Sequence, residues 1–82
     1  MEKRIGTITV FIRDRAVAQH INSIISQHAD IIVARQGLPF RNSGISVISL
    51  IVEGDIDSLN TLSGKLGKIP EVEVKVVVIK QK

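Results

Sequence analysis

Ile31 to Gly54, IIVARQGLPFRNSGISVISLIVEG, reads as a β-hairpin. Ile, Val and Leu fill its two arms, Ile31–Leu38 and Ile45–Glu53. The residues that favour chain reversal, Gly37, Pro39, Asn42, Ser43 and Gly44, gather between them. In the second arm Ile48, Leu50 and Val52 point one way and Ile45, Val47 and Ile51 the other. A strand apolar on both faces belongs inside a sheet.

Working outward, the flanks repeat one plan, an outer strand joined to a helix. Arg4–Ile12 alternates as a strand, with Gly6, Ile8, Val10 and Ile12 on the core side and Ile5, Thr7, Thr9 and Phe11 opposite. Asp14 is placed to cap a helix spanning Arg15–Ala29, whose apolar stripe is Val17, Ile21, Ile24, Ile25 and His28. Asp30 ends it. After the hairpin, Asp55 caps a second helix with the stripe Ile56, Leu59, Leu62, Ser63 and Leu66. Gly67 suits the left-handed C-terminal position, Lys65 and Lys68 suit the negative end of the dipole, and Pro70 stops the helix. Val72–Ile79 is the last strand.

The order is therefore βαββαβ in one domain, residues 1–82. Right-handed crossovers slot the third strand beside the first. The expected fold is an α+β, ferredoxin-like sandwich: an antiparallel sheet in order 4-1-3-2 with both helices on one face. The edges carry Arg35, Gln36 and Pro39 on one side and Pro70, Lys75 and Lys80 on the other, as exposed edges should.

Two helices cover one face of such a sheet. The other would show Phe11, Val47, Ile51 and Val77, interspersed with Thr7, Thr9 and Ser49. Burying four such apolar side chains is worth on the order of 6–12 kcal/mol per subunit, an upper estimate. Whole domains are stable by only about 5–15 kcal/mol. A face of that value predicts self-association, as a homodimer or homotetramer, through the sheet face, an edge, or both.

Composition narrows the function. The chain has no Cys, so disulfides, a thiolate nucleophile and sulfur metal ligands are absent. The net charge of +3 is spread along the chain rather than blocked. No apolar run approaches the ~20 residues of a membrane span or reads as a signal peptide, so the expected location is cytoplasmic, without a membrane partner. Scarce Met, missing Cys and abundant Ile, Val and Lys fit a thermophilic source.

His20 and His28 lie about 12 Å apart along one helix, too far to share a metal ion within a subunit, leaving only a site across an interface. No Ser-His-Asp set converges, Asp55 and Asp57 serve a helix start, and GKLG sits at a helix end rather than in a phosphate loop. No catalytic residue, metal or cofactor is expected. RNA-binding sheets of this shape stack bases on several aromatics, and Phe11 stands alone here. Small phosphatases of this shape pair an Arg of the first strand-to-helix loop with a sheet Asn. Arg13 and Arg15 match the first requirement, but Asn42 lies in a turn.

The stretch RQGLPFRNSGISVISL, Arg35–Leu50, together with the later GKLGKIPEVEVK, resembles the small family of iron-only hydrogenase system regulators. That family is ACT-like and similar to the C-terminal domain of nickel-responsive transcription factors. The resemblance implies a ligand-responsive or assembly module in the control of metalloenzyme production or maturation, typically oligomeric, and the leading expectation is a non-enzymatic regulatory module with a small-molecule effector. It departs from the nickel factors in two ways: the first strand begins almost at Met1, so DNA binding through a preceding segment is not expected, and the closely spaced His and Cys metal ligands are missing. Where amino-acid-binding ACT domains place Pro-Gly, this chain has Asp14, Arg15 and Ala16, leaving a ligand less room at the backbone. The candidate ligand contacts are Arg13, Asp14 and Arg15 in the first loop, with Arg35 and Arg41 brought near from a neighbouring subunit. A small anion- or phosphate-handling enzyme using the same arginines, and a purely structural interaction module, are the alternatives.

Overall fold

The computed structural model describes residues 3–80. The sheet contains β1 (Arg4–Ile12), β2 (Ile32–Phe40), β3 (Ile45–Gly54) and β4 (Val72–Lys80), all antiparallel, in the order β2-β3-β1-β4. Two helices, α1 (Ala18–Gln27) and α2 (Ile56–Gly67), pack on one face. This is the expected ferredoxin-like sandwich with the expected strand order.

The core lies between helices and sheet. Ile8, Val10 and Ile12 of β1, Ile48, Leu50 and Val52 of β3, Ile21, Ile24 and Ile25 of α1, and Leu59, Leu62 and Leu66 of α2 are all buried. Period-two burial on the strands thus meets period-3.6 burial on the helices, and the core contains no buried polar side chain among the described residues. Ile56 and Ser63, expected in the α2 stripe, are only half-buried because they flank the Leu59-Leu62-Leu66 line rather than lie on it.

Several boundaries differ from the sequence reading. Asp14 caps a 3-10 turn, Arg15–Val17, rather than α1 itself: its Oδ1 accepts from Ala16 N at 2.9 Å, and Val17 N donates to the Asp14 carbonyl at 3.2 Å. That three-residue spacing tightens the chain, so α1 starts only at Ala18. Asp30 does not end the helical region. His28 is the C-cap of α1, and a further 3-10 turn, Ala29–Ile31, follows. Ile31 therefore belongs to the core and not to β2. It packs against Gly54, where a Cβ would come within 3.0 Å of Ile31 Cγ2.

The hairpin turn is also shorter than expected. Pro39 and Phe40 are strand residues, because β2 is an edge where the missing Pro N–H can go without a partner. The reversal itself is Arg41-Asn42-Ser43-Gly44. Ser43 N and Gly44 N both donate to the Phe40 carbonyl, at 3.2 and 3.0 Å, and Gly44 takes the left-handed φ of 74°. Gly67, by contrast, is not left-handed. It closes α2 in ordinary helical conformation before Lys68, and the positive φ falls on Glu71 at 64°. The side chain of Lys80, expected to guard the β4 edge, lies outside the described residues.

Gly64 has no packing reason to be Gly: it is exposed and a Cβ there meets nothing within 4 Å. Gly64→Ala should therefore stabilise the protein by roughly 0.5–1 kcal/mol, read as a raised urea midpoint with an unchanged slope.

Asp55 caps α2 by accepting from Ser58 N at 2.8 Å. The hydrogen bonds from Ser58, the backbone one foremost, hold the Asp55 carboxyl below its usual value. A carboxylate favoured in the folded state adds stability at neutral pH that is lost as pH falls through that depressed value. Asp55→Ala should accordingly lower the melting temperature near pH 7, and the gap from wild type should close progressively below about pH 4.

Candidate functional site

The helix-free face of the sheet follows from the register. Across it run four rows: Leu38, Val47, Phe11 and Glu73; then Gln36, Ser49, Thr9 and Lys75; then Ala34, Ile51, Thr7 and Val77; and lastly Glu53, Ile5 and Ile79. A bulge between Ile32 and Ala34 sets which β2 residues join this face. The result is a polar belt, Gln36-Ser49-Thr9-Lys75, with apolar surface to either side.

Ile51 is 45% exposed and Val77 63%, while Phe11, Val47, Thr9 and Ser49 are half-buried and Thr7 is exposed. Ile5, which alternation already placed opposite the core, and three residues that the sequence reading did not place there, Leu38, Phe40 and Ile79, widen the exposed apolar area. Their strand partners, Glu53, Val47, Ile45 and Ile5, would have indicated them once the register was known.

The five candidate ligand contacts do not converge as one group. Arg15 and Arg41 meet: with Pro39, Phe40, Gly44, Ile45 and Ser46 they line a pocket of about 190 Å³ at the hairpin end of the molecule. Neither guanidinium has a carboxylate partner among the described residues. Arg13 points elsewhere and reaches Glu73 at 3.6 Å, with Lys75 on the other Glu73 oxygen at 3.3 Å. Such exposed pairs contribute little to stability. Asp14 is occupied by its capping bond. Arg35 lies along α1, its Nη2 donating to Asn22 Oδ1 at 2.9 Å.

What this arrangement can do chemically is limited and specific. Two unpaired guanidiniums beside a left-handed glycine turn offer planar, forked donors to a carboxylate or phosphate group. No general base stands near them: the pocket contains no carboxylate, His or Lys. Among the described residues no group of three or more His, Asp or Glu gathers to hold a metal ion. His28 Nε2 instead faces Lys65 Nζ at 3.3 Å across the two helices. No helix among the described residues is long and apolar enough to cross a membrane.

Residues 4–76 match the family model described as "TM1266-like: Iron-only hydrogenase system regulator, putative". The chain belongs to this family. The solved structure of TM1266 from Thermotoga maritima, an uncharacterized protein, is similar over 96% of this chain and 100% of that chain, at 32% identity and a TM-score of 0.90. The ACT domain of GTP pyrophosphokinase from Chlorobium tepidum is similar in fold, covering 100% of this chain and 92% of that one at 24% identity and a TM-score of 0.70. The C-terminal domain of the MgtC protein from Mycobacterium tuberculosis shares the fold at 14% identity and a TM-score of 0.71, with 94% of this chain and 88% of that one covered. No curated protein matches the chain. The chain thus has an ACT-like fold and belongs to a family described as regulatory.

Proposed function

We propose that this chain is a non-enzymatic regulatory module of an iron-only hydrogenase system, that it works as an oligomer, and that it senses a small anionic effector at a subunit boundary. The observation that carries the reading is the uncovered sheet face, where Leu38, Ile51, Val77 and Ile79 are each close to half exposed or more. Apolar area of that extent favours a second copy as its cover. Joining sheet faces or edges would set the Arg15 and Arg41 pocket of one subunit near residues of another, and Arg13 and Arg35 would add charge at the periphery. The membership of a family described as regulatory supports control rather than turnover.

Thermal melting with amino acids, nucleotides and divalent metals, added one class at a time, tests the sensing. A native-state ligand at 100 times its Kd stabilises by about 2.7 kcal/mol, which for a domain this small raises the melting temperature by on the order of 10 °C. A flat response to every class, from a protein that still assembles, would leave a structural interaction module in place of a sensor.

A second reading, a phosphate-handling enzyme, draws on the two unpaired arginines of the hairpin pocket. Hydrolysis of a phosphate monoester that disappears in Arg15→Ala or Arg41→Ala, with the assembly intact, would favour it.

A further inference from the structure

The helix side of the molecule carries a groove that the reading above does not use. It lies between α1 and the end of α2 and is lined by His20, Ser23, Ile24, Gln27, Lys65, Lys68, Ile69 and Pro70, with a volume of about 470 Å³. This is within the ordinary range of small-molecule sites, roughly 300–1,000 Å³. Its chemistry is two-part. Ile24 and Ile69, both buried, form an apolar floor with Pro70 beside them, and the rim is polar or cationic.

The charges on that rim have one sign. No Asp or Glu lines the groove, and among the described residues neither lysine has a carboxylate partner. Lys65 Nζ lies 3.3 Å from His28 Nε2, outside the groove lining, while Lys68 is exposed with no side-chain partner among the described residues. The wall made by Ile69 and Pro70 runs straight into Glu71, whose φ of 64° is a conformation that a non-glycine residue adopts at a cost. The Glu71 carbonyl accepts from Arg13 N at 2.9 Å, so the strained corner is fastened to the end of β1.

We infer that this inter-helix groove is a binding site for a small organic anion, an apolar body lying over Ile24, Ile69 and Pro70 with its carboxylate or phosphate held by Lys65 and Lys68. The site does not depend on pairing through the uncovered face, because it lies on the opposite side of the sheet.

Octanoate, octylamine and inorganic phosphate separate the two parts of this recognition. Each is titrated into the isotope-labelled full chain while assigned backbone amide shifts are recorded. Octanoate should give saturable shifts centred on Ser23, Ile24, Gln27 and Ile69. Octylamine, with the same tail and the opposite charge, should give none there, and phosphate should bind at least about tenfold more weakly than octanoate for want of an apolar body. Lys68→Gln should weaken octanoate about threefold, and adding Lys65→Gln should bring the loss to about tenfold, with the remaining spectrum unchanged. Shifts from octanoate and octylamine alike, shifts confined to the uncovered sheet face, or affinity indifferent to both lysines would overturn the assignment. The mass measurement of the regulatory reading stands apart from these outcomes.

Discussion

Ile51→Lys is expected to convert the assembled protein to a lone 9.0 kDa subunit without unfolding it. Ile51 sits on the central strand β3, between Ala34 of β2 and Thr7 of β1, in the row of the uncovered face that ends on Val77. In the isolated subunit its side chain is 45% exposed, so a lysine there can reach water and the fold should persist. Between two copies the same ammonium is desolvated without a partner, and a two-fold interface contains it twice. A cost of about 3 kcal/mol or more corresponds to at least a hundredfold weaker association. Light scattering and far-ultraviolet circular dichroism, recorded together, check both halves of the statement. Helix and strand signals at wild-type strength with the mass reduced to one subunit is the expected pair. An unchanged mass would move the interface off this face.

Leu62→Ala should have the largest effect on folding. Leu62 is fully buried on α2 in line with Leu59 and Leu66, over a sheet whose opposing residues Ile8, Val10 and Leu50 are equally buried. Truncating such a leucine costs about 2–5 kcal/mol, from lost transfer energy and the cavity left behind. Against the roughly 5–15 kcal/mol of a typical domain, and the low burial available to a small chain, this is a large share. A fall in melting temperature on the order of 15–25 °C follows for a loss of about 3 kcal/mol. A change under about 5 °C would mean that the leucine contributes little to the packing between α2 and the sheet. Ser63→Ala, one position along and only half-buried, serves as the control with little effect.

The two outcomes rest on parts of the chain that differ in how legible they were. The strand order and the helix placement were readable because the apolar periods are clean: Ile8, Val10 and Ile12 at spacing two, and Leu59, Leu62 and Leu66 at spacings of three and four. Element ends were less so. The 3-10 turns at Arg15–Val17 and Ala29–Ile31 replace helix ends because single local hydrogen bonds, from Val17 to Asp14 and from Ile31 to His28, prevail over the propensity of the longer segment. Pro39 reads as a turn residue in sequence, yet an edge strand tolerates it.

The site was legible only in part. Phe11, Val47, Ile51 and Val77 share a face by simple alternation, but Leu38 and Phe40 join it through the register set by the bulge near Ala34, which alternation alone cannot fix. The five ligand candidates were chosen by charge and loop position. Partners far along the chain then decided the placement of four: Glu73 for Arg13, Asn22 for Arg35, and the hairpin pocket for Arg15 and Arg41; Asp14 was taken up locally by Ala16 N. Lys65 and Lys68 read as dipole partners of α2, and only the approach of α1 reveals that they also rim a groove.

The mass of the unaltered protein in solution, measured by light scattering at working concentration, bears most directly on the uncovered sheet face and everything built upon it. Two or four times 9.0 kDa is the expected value. A particle of 9.0 kDa would contradict self-association and with it a sensor shared between subunits.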